Sequence, residues 1–264
     1  MDALNLTIYN EFIHEQKNDF VKKLYPDGIH MTIAAHMEKQ PGIQVKTATL
    51  EMPEHGLTED VLASTDVLIW WGHIAHHMVD SKVVARIQDR ILDGMGLIVL
   101  HSGHLSKIFR RMMGTSCGIR WREAAERERL WVINPNHPIT RGIGAYIELP
   151  NTEMFGEVFD IPDPDELLFI SWFEGGEVFR SGAVWHRGKG RIFYFRPGHE
   201  AYPIFYNKDV MQVLTNGVRW AKFSGNTETL GIGTAYNITE PIETLSEKDY
   251  EQGVIDHPGE YTKQ

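Results

Sequence analysis

Short apolar runs alternate with helical stretches over the first part of the chain. The runs at residues 4–9 ("LNLTIY"), 43–50 ("IQVKTATL"), 66–71 ("DVLIWW") and 97–103 ("LIVLHSG") predict four strands. Helices are predicted over residues 28–39, 57–65 and 81–92, with Thr58 expected to cap the second of them. Strands that alternate with helices through short links indicate an α/β fold, with a mostly parallel sheet covered by helices on both faces.

The second half of the chain changes character. The runs "RERLWVIN", "AYIEL", "LLFISWF", "GAVWHRG" and "GRIFYFRPG" predict short aromatic-rich strands, and residues 208–222 predict a closing helix. No linker divides the chain, so we predict a single domain over residues 1–223. Residues 224–264 hold eight acidic and two basic residues without periodicity. They predict an irregular acidic arm that packs on the surface or on a neighbouring subunit of a homo-oligomer, with disorder as the alternative.

Charge and composition narrow the classes of function. The net charge of −10 argues against nucleic-acid binding, and no apolar run is long enough to span a membrane. The start of the chain lacks the pattern of a secretion signal, and the lone Cys117 cannot form an internal disulfide. Both features favour the cytoplasm. Neither a dinucleotide-binding nor a phosphate-binding glycine loop is present, so no nucleotide cofactor is expected.

Polar side chains collect where the predicted strands end. In doubly wound sheets the ligand crevice lies at the carboxyl ends of the strands, so we predict that these side chains share one crevice. Clustered imidazoles can bind a divalent metal or move protons near neutral pH. The residues concerned are Asn10, Glu11 and His14 after the first strand, His73, His76 and His77 after the third, His101 and His104 after the fourth, and His199 and Glu200 after the last.

The spacing of these residues indicates an open site. The chain has no H-E-x-x-H motif and no pair of C-x-x-C motifs, which argues against a closed structural zinc site. Two or three histidines with one carboxylate remain, and Glu153 and Glu157 on a predicted loop are the best carboxylates. Arg196 is a candidate to hold a sugar hydroxyl or a carboxylate. The aromatic candidates for stacking on a sugar are Trp70, Trp71, Trp121, Trp172 and Phe155, although most are expected in the core.

Long stretches resemble the trehalose utilisation (ThuA) family. They include "YPDGIH", "ATLEMPEHGLTEDVL", "DVLIWWGHIAH", "GMGLIVLHSGHLSKIFRRMMGTS", "RERLWVINPNHPI", "EMFGEVFDIPDPDELLFISWFEGGEVFRSG" and "GRIFYFRPGHE". The resemblance implies a flavodoxin-like sheet similar to class I glutamine amidotransferases. The amidotransferase elbow reads G-x-C-x-G, whereas "LHSGH" places His101 where the cysteine should stand. Glutamine hydrolysis through a thioester is therefore not expected.

The resemblance implies an enzyme that acts on 3-keto derivatives of trehalose or related disaccharides, as an isomerase that shifts the carbonyl through an enediolate. Three sets of residues are assigned on this basis. His101, Glu153 and His104 would move protons; His73, His104 and His199 would bind zinc or manganese; Asn10, Glu11, Trp71, His76, Arg196 and Glu200 would hold the sugar. The alternatives are a metal-assisted hydrolase of a sugar derivative and a non-catalytic sugar-binding or regulatory protein.

Overall fold

The computed structural model describes residues 3–223. The predicted C-terminal arm lies outside these residues. The strands are β1 (Leu4–Asn10), β2 (Ile43–Thr49), β3 (Val67–Trp71), β4 (Gly96–Leu100), β5 (Arg120–Val132), β6 (Tyr146–Gly156), β7 (Glu166–Phe173), β8 (Val178–Arg187) and β9 (Gly190–Phe195). The α-helices are α1 (His14–Lys17), α2 (Asp19–Leu24), α3 (Ile29–Met37), α4 (Glu59–Ala63), α5 (Ser81–Leu92), α6 (Lys107–Met113) and α7 (Lys208–Ala221).

Within residues 3–223 the nine strands form one sheet in the order β2-β1-β3-β4-β9-β8-β7-β5-β6. The half from β2 to β9 is parallel and has the flavodoxin-like order. The half from β9 to β6 is antiparallel. The prediction of a mostly parallel sheet therefore holds for only one half. Tight glycine turns at Gly176 and Gly188 join β7, β8 and β9, and such hairpins pair antiparallel, whereas helical crossovers pair parallel.

The parallel strands are buried on both faces. Along β3, Leu68 and Trp70 pack with the apolar side chains of α4, α5 and α6, whereas Ile69 and Trp71 pack with those of α3 and α7. Every residue of β3 and β4 is buried. Polar groups can therefore stand only at the strand ends, which fixes the place of the predicted crevice.

Helix ends follow their capping residues. The Thr58 side chain accepts a hydrogen bond from the backbone N–H of Val61, which confirms the predicted cap of α4. The prediction missed α1, α2 and α6, because helices of four, six and seven residues span two turns or fewer and show little helical period in the sequence. None of the helices within residues 3–223 has the length and apolar character to cross a membrane.

The position of Glu153 corrects a prediction. We expected this residue on a loop, but it lies on β6, which continues to Gly156 and pairs with the start of β5. Pro150 interrupts the strand pattern in the sequence, and β6 tolerates it because it is the edge strand of the sheet.

Candidate active site

Three histidines and one glutamate converge at the carboxyl edge of the sheet. His73 follows β3, His101 follows β4, His199 follows β9 and Glu153 reaches in from β6. The ring centres of His101 and His199 are 5.3 Å apart, and that of His73 lies 5.8 Å and 5.6 Å from them. One donor atom of each of the four side chains lies within 4.8 Å of the others. We call these four residues the His/Glu cluster.

A left-handed turn directs His101 into the cluster. Its φ of +50° directly after β4 is a conformation that L-residues adopt at a cost of about 1–2 kcal/mol. Gly198 packs against the turn, since a Cβ there would lie 3.1 Å from that of His101. The His101 Nδ1 atom lies 3.1 Å from the carbonyl oxygen of Arg196. A carbonyl only accepts hydrogen bonds, so Nδ1 carries the proton and Nε2 keeps its lone pair.

His101 and Glu153 face each other without a hydrogen bond. His101 Nε2 lies 3.1 Å from Glu153 Oε2, and both atoms are buried with no hydrogen-bond partner among the described residues. Burial, with the nearby His199 and Arg196, holds the pKa of His101 well below its usual range, so the ring is neutral. Burial also raises the pKa of Glu153, although His199 and His73 oppose this. Unpaired buried polar atoms are costly, so the pair can gain from a bound ion or substrate atom.

Glu200 lies behind His73. The His73 Nδ1 atom lies 3.3 Å from Glu200 Oε1 and 3.0 Å from Nε2 of His14. Burial lowers the pKa of His73, but the hydrogen bond to Glu200 and its charge outweigh this, and the pKa lies above its usual value. Burial of Glu200 opposes its ionisation, yet the hydrogen bond from His73 holds its pKa well below the usual range. Glu200 thus orients His73.

A cavity of about 340 Å³ opens over the cluster. Its wall contains His73, Glu153 and His199 together with Trp121 and Phe155. Trp121 is 65% exposed, whereas Phe155 is buried and stacks on His101 with the ring centres 4.8 Å apart. The cavity therefore has a polar, histidine-rich base and an aromatic rim.

His104 lines this cavity but does not belong to the cluster. Its Nδ1 lies 2.6 Å from the carbonyl oxygen of Cys117, and its ring packs edge-on against Phe155 and Phe159. Burial lowers its pKa to about 4. The sequence suggested that His101 and His104 face the same way if a helix begins there. The structure has a short 3-10 helix at His101–Leu105, but His101 itself is left-handed, and the two rings face different partners.

Arg196 lies beneath the cluster. Its side chain is fully buried and donates hydrogen bonds to Glu128, to Oγ1 of Thr152 at 2.9 Å and to the backbone carbonyl of Glu153. Both terminal nitrogens of Arg196 are engaged inside the protein, and its Nε is buried without a partner among the described residues, so Arg196 is placed to support the site rather than to contact a sugar.

Other residues predicted to bind the sugar also occupy supporting positions. Glu11 accepts hydrogen bonds from the backbone N–H groups of Ile74 and Ala75, and so fixes the loop that carries His73. Trp71 donates its indole N–H to the carbonyl of Gly198 at 2.8 Å.

Asn10 and His76 are likewise held within the protein. Asn10 donates to Glu15 at 2.7 Å and contacts His30. His76 lies beside Gly72 and Glu11, and burial lowers its pKa. Within the described residues, the cavity wall contains none of these five side chains: Asn10, Glu11, Trp71, His76 and Arg196.

No role was predicted for Glu123, which the structure places at the cavity. Its Oε2 lies 3.4 Å from Nε2 of His199, and its other oxygen accepts a hydrogen bond from the Tyr202 hydroxyl. Glu123 lies in the charged run "RWREAAERERLW", which reads as a solvated strand and offers no separate signal. Glu157, the second predicted carboxylate, pairs with Arg180 instead.

The order β2-β1-β3-β4-β9 and the left-handed turn after β4 give an α/β fold similar to that of class I glutamine amidotransferases, with His101 at the position of their elbow cysteine. The chain belongs to the ThuA family, described as trehalose utilisation, whose model matches residues 5–221. The match confirms the family resemblance found in the sequence. Family membership supports a role related to trehalose utilisation.

Solved structures share this fold at low sequence identity. A ThuA-like protein from Parabacteroides merdae is 14% identical, with a TM-score of 0.64 over 84% of this chain and 90% of that chain. A ThuA-like protein from Bacteroides uniformis is 16% identical, with a TM-score of 0.56 over 83% and 91%. PurLQS from Thermotoga maritima is 12% identical, with a TM-score of 0.52 over 83% and 99%. None of the curated proteins matches the sequence significantly.

Proposed function

We propose that the protein is an enzyme of sugar catabolism that acts on a 3-keto derivative of trehalose or a related disaccharide. The reaction moves the carbonyl group to the neighbouring carbon through an enediolate. The observation that supports this proposal is the His/Glu cluster at the base of an aromatic-rimmed cavity of about 340 Å³.

The donor atoms of the cluster fit a divalent metal ion. Imidazole nitrogens with one carboxylate oxygen form a set that suits zinc or manganese. Two of the donors, on His101 and Glu153, are buried without partners in the described chain, and the cavity leaves an open side. When bound, such an ion supplies Lewis-acid polarisation of a carbonyl oxygen.

The protein's own residues supply the rest of the chemistry. A carbonyl shift removes a proton from the carbon beside the carbonyl and returns one to the former carbonyl carbon. The hydroxyl group of the neighbouring carbon loses its proton as it becomes the new carbonyl, and the former carbonyl oxygen gains one. The His199 Nε2 atom lies between Oε2 of Glu123 at 3.4 Å and Oε2 of Glu153 at 3.9 Å, which gives the site adjacent groups that exchange protons. Phe155 and Ile119 line the wall and restrict water. The exposed face of Trp121 offers a stacking surface for a sugar ring.

The test is an assay of the purified protein with a 3-keto disaccharide. In ordinary water an isomerase conserves the substrate mass. In heavy water it introduces deuterium at the former carbonyl carbon of the product. Release of a monosaccharide would instead favour the metal-assisted hydrolase. We expect Glu153→Gln to lower kcat at least ~100-fold, since proton transfer and electrostatic stabilisation each contribute factors of this order.

Glu157→Gln is the matched control. It makes the same chemical change four residues further along, on a carboxylate that pairs with Arg180. Its activity should stay within a few-fold of the wild type. Equal activity of wild type and Glu153→Gln would contradict the proposal, as would an unchanged substrate in every reaction.

The cellular setting is proposed from composition. The lone cysteine is compatible with a reducing cytoplasm, where we place the enzyme. The homo-oligomer stays a prediction, because the acidic arm that suggested it lies outside the described residues. Sedimentation of the full chain would measure its assembly.

A further inference from the structure

The two nitrogens of each cluster histidine have different surroundings. Metal-binding histidines commonly donate their second ring N–H to a carbonyl or a carboxylate, which leaves the first nitrogen free to bind the ion. His101 follows this pattern, because its Nδ1 lies 3.1 Å from the Arg196 carbonyl. His73 follows it as well, because its Nδ1 faces two acceptors. One is a Glu200 carboxylate oxygen at 3.3 Å; the other is Nε2 of His14 at 3.0 Å, since Nδ1 of His14 lies 3.4 Å from the same carboxylate oxygen and so carries the proton of that ring. In the neutral form, each of these two rings therefore keeps a lone pair on Nε2.

His199 has the opposite arrangement. Its Nδ1 accepts a hydrogen bond from the backbone N–H of Ala201 at 3.1 Å. A backbone N–H can only donate, so Nδ1 is unprotonated, and the proton of the neutral ring lies on Nε2. That atom faces the carboxylates of Glu123 and Glu153, at 3.4 Å and 3.9 Å. An N–H has no lone pair for a metal ion, so His199 is suited to donate a hydrogen bond instead.

We propose that His73, His101 and Glu153 bind the cation, whereas His199 stays outside the ligand shell and donates its Nε2–H to an oxygen of the bound sugar. This division of roles rests on the proposed function for the presence of the ion. The buried, unpartnered Nε2 of His101 and Oε2 of Glu153 support it independently, since both point to one place in the described chain. It replaces the ligand set His73, His104 and His199 expected from the sequence.

The experiment titrates zinc into the chelator-stripped full chain by calorimetry. We expect one site in the wild type, and at least ~100-fold weaker binding in His101→Gln and Glu153→Gln, more than the loss of an outer partner produces. His199→Gln should bind zinc within ~3-fold of the wild type. Thermal unfolding of each variant checks that it folds. Absence of zinc binding by the wild type would overturn the proposal, as would equal loss in His199→Gln and His101→Gln.

A second measurement needs neither a variant nor a metal. In the metal-free protein with 15N-labelled histidine, the ring shifts report which nitrogen carries the proton. We expect the proton of His199 on Nε2 and that of His101 on Nδ1. A His199 ring protonated on Nδ1 alone would contradict the assignment even if the variants fail to fold.

These results separate the two proposals. Zinc binding in the expected pattern together with an unreacted 3-keto disaccharide would retain the ligand set and end the proposed function. Isomerase activity together with loss of zinc in His199→Gln would retain the function and end the ligand set.

Discussion

Replacing Arg196 by methionine should destabilise the protein strongly, because Arg196 pairs with a carboxylate in the core. Both Arg196 and Glu128 have side chains that are 0% exposed. The change removes the cationic partner of Glu128 and leaves the Thr152 hydroxyl and the Glu153 carbonyl without a donor. A buried polar group left without a partner costs about 1–3 kcal/mol, and breaking a buried ion pair from one side costs about 3–5 kcal/mol. We therefore expect the free energy of unfolding to fall by about 3–5 kcal/mol.

The loss of stability in Arg196→Met should depend on pH. Burial raises the pKa of Glu128, and Arg196 opposes that shift. Without the guanidinium, Glu128 is uncharged over a wider range, and a group whose pKa is raised on folding stabilises the folded state at low pH. The deficit of Arg196→Met should therefore shrink as the pH falls. The measurement is urea unfolding at several pH values, followed by tryptophan fluorescence.

Arg129→Met is the matched control. Arg129 pairs with Glu148 and stacks on Tyr146, but both members of the ion pair are partly exposed. Such surface pairs contribute about 0–1 kcal/mol, so this variant should lose no more than that. If Arg196→Met and Arg129→Met lose the same small amount, the account of a buried ion pair that supports the cluster is wrong.

Three further predictions concern the cavity and its walls. Trp121→Ala should raise KM for the 3-keto disaccharide about 10-fold while kcat changes little, because stacking on a sugar stabilises substrate and transition state alike. Steady-state kinetics measure both constants. An unchanged KM would show that Trp121 is not part of the binding surface. Gly198→Ala should lower thermal stability and activity together, because the added Cβ would lie 3.1 Å from that of His101 and φ at this position is +147°; calorimetry and kinetics that match the wild type would refute the close packing. Burial lowers the pKa of His104 to about 4, so the unfolded chain binds more protons than the folded protein between about pH 6.5 and 4. The free energy of unfolding therefore falls, by up to ~3 kcal/mol, as the pH drops through that window. His104→Leu should flatten this part of the stability profile in urea unfolding, and an unchanged slope would contradict the assignment.

The edge of the sheet at which the His/Glu cluster lies could be predicted from the sequence, but the residues that form the cluster could not. Strands β3 and β4 are apolar throughout, so polar side chains can only follow them, as His73 and His101 do. Glu153 was assigned to a loop because the run around it, "NTEMFGEVFD", shows no strand periodicity. Glu123 was missed because charges surround it in the sequence.

The strand directions in the second half of the sheet and the orientations of the histidine rings could not be predicted from the sequence. Aromatic-rich runs predicted strands, yet the antiparallel direction follows from hairpin turns and from pairing between distant segments. His101 and His104 lie three residues apart but point to different partners, since the left-handed backbone of His101 separates them. The three-residue spacing of the two histidines in the sequence cannot predict these different directions.

The sequence by itself determined the alternation of buried strands and amphipathic helices, the family, and the edge of the sheet where histidines must gather. These properties depend on residues that are close together along the chain, so the amino-acid order is enough to predict them. The tertiary structure alone decided which imidazoles meet, which ring nitrogen carries the proton and which carboxylate faces them. Those properties depend on acceptors and donors such as the Arg196 carbonyl, the Glu200 carboxylate and the Ala201 N–H, which only folding brings beside their histidines.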